Sequence, residues 1–131
     1  MRTMQEAFNT IRSHMLSQME RCSVKSDGPC YYRHPDPEKR EMMCAVGALI
    51  DPSHPMAEEA YDATCGVSDL IRTFGPDLLE ISYEDWEDPS MSNNWYYLLK
   101  ECQLLHDGTP PQRWEEKLNN IANMCGLEMN G

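Results

Sequence analysis

Residues 30–50 read CYYRHPDPEKREMMCAVGALI. Two cysteines and a histidine flank a charged stretch broken by Pro35 and Pro37. CYYRH is rich in β-forming residues. The two prolines forbid a helix or an inner strand between 34 and 41. MMCAV is apolar and can return antiparallel. The reading is therefore a β-hairpin with arms at about 29–34 and 41–46. With Arg33 opposite Glu41, Tyr32 faces Met42 and Cys30 faces Cys44. Cys30, Tyr32, His34, Met42, Cys44 and Val46 then share one face. Gly47 permits a bend into the next element.

The segments on either side read as helices. Before the hairpin, Met4, Phe8, Ile11 and Met15 form an apolar stripe over 3–19, with Ala7 and Met19 beside it. Thr3 and Glu6 have the spacing of a capping box, and SDGP at 26–29 is a turn. After it, DPSHP (51–55) is a break, MAEEAYDA (56–63) a weak helix, and GVSDLIRTF (66–74) a short helix stopped by Gly75-Pro76. Residues 76–93 read as a long acidic connector, with a strand or helical turn around 78–83. The last third is an antiparallel αα-hairpin, about 93–106 and 111–125. Its first helix carries Trp95, Leu98, Leu99, Cys102, Leu105 and His106 on one face, capped by Ser92 or Asn93. Its second carries Trp114, Leu118, Ile121, Ala122 and Cys125, with Pro111 at its start and Gly126 at its end. The expected fold is α+β, mostly α, in a single domain over 1–131.

Charge narrows the function. The net charge is −11. Residues 41–99 hold twelve acids and one base, Arg72, so the whole excess of eleven lies in the middle of the chain. Such a surface repels phosphate, which argues against direct nucleic-acid binding. It attracts a basic partner. The longest apolar run, CAVGALI at 44–50, is too short to span a bilayer. The N-terminal stretch lacks the continuous apolar core of a signal peptide. A cytoplasmic protein with six reduced cysteines is expected.

Two chemistries compete for the remaining residues. Cys102 and His106 share a helical face, and Cys30, His34 and Cys44 could join them around zinc, which wants four ligands in a tetrahedron. The same residues could serve a thiol-dependent enzyme. Against both, the chain has no CxxC, HxxxH, HExxH, GxSxG or phosphate-loop motif. No cofactor and no catalytic residue are therefore assigned. The acidic connector reads differently. Asp77, Glu80, Glu84, Asp85, Glu87 and Asp88 surround Tyr83 and Trp86. Carboxylates steer a basic partner and rings supply contact area. The other reading of this segment is a solvated loop whose Trp86 folds back into the core. An exposed Trp86 would also permit self-association.

The string CYYR…CAVGALI, the later LLKECQLLHD and the following tryptophan together resemble a family of small proteins encoded in tailed-phage and prophage genomes. The matching residues are Cys30, Tyr32, Arg33, Cys44, Ala45, Val46, Gly47, Leu49, Ile50, Leu105, His106, Asp107 and Trp114. The loop PDPEKREM is longer than the short turn of the family pattern. The resemblance implies a phage gene acting in the bacterial cytoplasm, and no reaction. The expected function is a non-enzymatic phage accessory protein. It would bind and inhibit a host protein, such as a defence or nucleic-acid-handling factor, through an acidic surface that imitates nucleic acid. A zinc protein or thiol enzyme is the alternative.

Overall fold

The computed structural model describes residues 2–19, 32, 43–63 and 66–128. Thr3 starts the first helix, α1 (Met4–Gln18), through a complete capping box. Its hydroxyl accepts from Glu6 N (3.1 Å) while the Glu6 carboxylate accepts from Thr3 N (2.9 Å), so two N–H groups at the helix start find partners. Ala7, Phe8, Ile11 and Met15 bury one face. The helix ends on Met19, whose left-handed backbone (φ 51°) returns its N–H to Met15 O.

Among the described residues the chain forms six α-helices and no strand. The expected α+β fold is corrected: the described residues build an all-helical fold. The first arm of the expected hairpin, apart from Tyr32, lies outside the described residues, as do its loop and residues 41 and 42. The described part of the second arm, 43–46, is not a strand: Met43 is an isolated bridge and the chain then enters a 3-10 turn at Gly47–Leu49. The cause lies in where the backbone hydrogen bonds go. Gln18 of α1 acts as a strand neighbour would, accepting from Met43 N (2.9 Å) and donating to Met43 O (3.0 Å). His14 Nε2 donates to the same carbonyl at 2.9 Å. Beyond it, Gly47 N donates to the Cys44 thiol (3.2 Å) and Ala48 N to Cys44 O (3.2 Å), which folds the chain back on itself. Cys44, Ala45, Val46 and Gly47 are all buried in succession, which a half-buried strand with alternating faces would not allow. The expected register fails too, because Cys44 N meets Tyr32 O (3.4 Å).

The middle of the chain is a series of short helices, α2 (Ala57–Tyr61), α3 (Val67–Phe74) and α4 (Tyr83–Glu87), with a 3-10 turn at Pro76–Leu79. Two long helices close the fold, α5 (Pro89–Gly108) and α6 (Trp114–Cys125). They pack on each other, and α1 packs on both. α5 starts four residues before the expected boundary, on Asp88 rather than Ser92 or Asn93, with Pro89 at its first position. Buried residues from α1, α2, α3, α5 and α6 form one continuous cluster with the 44–50 turn and Leu78, Leu79 and Ile81. No described helix is long and apolar enough to cross a membrane.

Candidate functional site

The acidic stretch 77–88 is ordered, not a loose connector. Its buried anchors are Leu78, Leu79 and Ile81. Ser82 caps α4 by accepting from Asp85 N at 3.1 Å. Asp88 then caps α5, accepting from Ser90 N and Ser90 Oγ, each at 3.0 Å. Two consecutive caps leave no slack between Ile81 and Pro89.

The eight residues expected to form an interface divide into two groups. Asp77 and Glu80 face partners within the chain. Glu80 Oε2 accepts from the Arg2 guanidinium at 2.6 Å, and Glu80 O accepts from Arg2 N at 2.8 Å. Asp77 accepts from His54 Nε2 (3.2 Å) on one oxygen and from the Tyr83 hydroxyl (3.1 Å) on the other. Glu84, Asp85 and Glu87 form no ion pair with any described residue, and Asp88 serves only as the cap. Glu84, Glu87 and Asp88 are exposed and Asp85 is half-buried, and these four carboxylates form the charged face of the segment. Trp86 is half-buried and packs against the core, while Tyr83 is 53% exposed. Trp86 thus ties α4 to the core while part of its ring stays at the surface.

His54 was not visible as part of this site from sequence. It sits in the turn after Asp51, with Met56 N donating to its Nδ1 at 3.0 Å. Nδ1 is therefore the acceptor nitrogen and Nε2 carries the proton that points at Asp77. Gly75 closes the other side, with φ +91° and an alanine Cβ there 2.5 Å from the Tyr83 hydroxyl oxygen. The hydrogen bond to Asp77 raises the Tyr83 phenol above its ordinary value. His54, Asp77 and Tyr83 thus form a clasp between three segments of the chain. The only sequence signal was the proline-flanked turn holding His54.

Of the residues proposed for a metal or thiol chemistry, Cys44, Cys102 and His106 are described. Cys30 and His34 lie outside the described residues. Cys44 is buried in the 44–47 turn, its thiol accepting from Gly47 N. Cys102 and His106 share the buried face of α5, and burial pushes the Cys102 thiol far up. His106 stacks on Trp114 with ring centroids 5.4 Å apart and donates from Nδ1 to Asp107 at 2.8 Å. Asp107 also accepts from Gln103, whose carbonyl oxygen accepts from Val46 N. Trp114 Nε1 donates to Thr109 O at 2.8 Å. The chain of contacts joins the 44–47 turn, the end of α5 and the start of α6, which is work for a scaffold. Among the described residues no three His, Cys, Asp or Glu side chains are placed to hold a metal ion.

Compared with protein-family models, curated proteins and solved structures, the chain gives no match.

Proposed function

We propose that this chain is a binding protein that presents the face of α4 and the start of α5 to a basic surface on another protein. One observation carries the reading: Glu84, Asp85, Glu87 and Asp88 stand on a doubly capped segment with no opposing ion pair among the described residues, while beside them Glu80 pairs with Arg2 and Asp77 accepts hydrogen bonds from His54 and Tyr83. A fixed array of like charges raises the encounter rate with a basic partner. Pre-ordering lowers the entropy lost on binding. The resemblance to small phage proteins supports a host protein in the bacterial cytoplasm as that partner, and inhibition of a defence or nucleic-acid-handling factor as the outcome. In that reading the carboxylates stand where a nucleic acid's phosphates would.

The test is capture of partners from bacterial lysate by the tagged chain and by the E84Q/D85N/E87Q/D88N variant. Asparagine caps a helix as well as aspartate, so the variant keeps α5 intact. Four exposed charge contacts together are worth about thirtyfold in affinity. A partner held by the parent chain and lost by the variant supports the proposal. Equal capture by both would sink it.

A further inference from the structure

The second surface of interest lies between α5 and α6, away from the residues assigned to the acidic face. A groove of about 270 Å³ runs there, lined by Tyr97, Glu101, Leu104, Lys117, Ile121 and Met124 among others. Met124 (73% exposed) and Leu104 (54%) are the two most exposed large apolar side chains among the described residues, and both stand on this one groove. Tyr97 closes one end, its hydroxyl 3.3 Å from the Met124 sulfur. Together Met124 and Leu104 give the groove two apolar side chains accessible to a neighbouring surface.

The charges on the groove indicate what covers it. Glu101 stands on α5 and Lys117 on α6, and neither forms an ion pair with a described residue. The helices run antiparallel, so Glu101 lies towards the Met124 end and Lys117 towards the Thr109 end. A two-fold axis standing between them places each Glu101 over the other copy's Lys117. It also places each Leu104 in the other copy's groove. An isologous contact requires this kind of self-complementarity. The groove is neutral overall, whereas the rest of a chain of net charge −11 repels its own copy.

We propose that the α5–α6 groove is the interface of a two-fold homodimer, with Leu104 between the reciprocal Glu101–Lys117 pairs and Met124 towards one end of each copy's groove. The occupant is a second copy of the chain. Dimerisation would leave the α4 face open and duplicate it, which raises avidity for a repetitive or dimeric partner.

The test is sedimentation equilibrium of the full chain over a concentration series, at low and high salt. The parent chain forms a dimer. K117E brings two glutamates together at each rim and weakens the dimer about tenfold. E101K does the same with two lysines. The doubly reversed E101K/K117E chain restores it. L104E/M124E abolishes it with an unchanged circular dichroism spectrum, since both side chains are exposed. A parent chain that stays monomeric overturns the proposal. So does a dimer that survives L104E/M124E, or single reversals that the double reversal fails to repair. If a different protein fills the groove, the first of these results is the one obtained.

Discussion

Replacing Gly47 with alanine separates the close-packed turn described above from an ordinary flexible glycine. Gly47 begins the 3-10 turn and its φ is not in the left-handed region. Alanine adopts such a backbone freely. On backbone entropy alone G47A would stabilise the protein by about 0.4–1 kcal/mol. The structure gives the opposite sign. An alanine Cβ at 47 would lie 1.8 Å from the Tyr32 carbonyl oxygen and 2.8 Å from its carbon. Non-bonded contact requires about 3.5 Å, so Tyr32 must retreat by more than about 1.5 Å. Tyr32 is itself buried, and its carbonyl receives the Cys44 N–H. Overpacking of this kind costs about 1–3 kcal/mol. At about 2.1 cal/mol/K per residue, the 131 residues unfold with an entropy near 0.28 kcal/mol/K. The melting temperature of G47A should therefore fall by about 4–11 °C. Gly108, the last residue of α5, is the control, since nothing lies within 4 Å of a Cβ there. G108A should raise the melting temperature by about 2–4 °C, from about 0.5–1 kcal/mol of helix preference. The assay is thermal unfolding followed by circular dichroism. A G47A melting temperature at or above that of the parent chain refutes the packing of the 44–47 turn against Tyr32.

Three further outcomes are expected. Asp88→Ala removes the α5 cap and costs about 1 kcal/mol in a urea titration, whereas Asp88→Asn stays within about 0.3 kcal/mol of the parent; equal losses in both would show that charge, not capping, matters there. Burial raises both the Cys102 and Cys125 thiols, but Cys102 is fully buried and Cys125 only partly, so iodoacetamide at about pH 8 should label Cys125 at least about tenfold faster in the native chain. Peptide mapping reads this directly, and equal native rates would contradict the core position of Cys102. Hydrogen bonds from Thr3 hold the Glu6 carboxyl below its ordinary value. A depressed folded pKa means that the contribution is present above the unfolded value of about 4.3 and is lost as pH falls through the lower folded value. The stability gap between the parent chain and E6A should thus be present at about pH 7 and shrink towards about pH 2. A gap independent of pH would exclude the charged capping box.

Local signals carried the helices. Thr3 and Glu6 mark the start of α1, with Thr3 four residues ahead of its first buried residue, Ala7, and the apolar periods of 95–106 and 114–122 mark the buried faces of α5 and α6. The hairpin reading failed because MMCAV has the composition of a strand whether or not a strand lies beside it. What decided its conformation was the Gln18 carboxamide and His14 imidazole, 25 and 29 residues away in sequence. Such contacts leave no trace in the periodicity of residues 41–46. The acidic segment was read as a connector because polar residues dominate it, although Asp88-Pro89 is an N-cap followed by the proline position helices prefer. In sequence the eight interface residues form one block. Their division into internally partnered and open carboxylates depends on Arg2 and His54, which are 78 and 23 residues from Glu80 and Asp77. The groove between α5 and α6 was beyond reach for a related reason. Leu104 falls among apolar neighbours, and only the packing shows that it points outward.

The most direct test of the acidic face separates its position from total charge. Two variants lose four negative charges each: E84Q/D85N/E87Q/D88N on the α4 face, and E59Q/D62N/E116Q/E128Q at exposed positions elsewhere. Each is used beside the parent chain to capture partners quantitatively from bacterial lysate. Loss of a specific partner by the first variant alone, with the second retaining it as the parent does, is the expected result. Equal loss by both variants would mean that bulk charge attracts the partner, and retention by both would mean that the α4 face does not bind it.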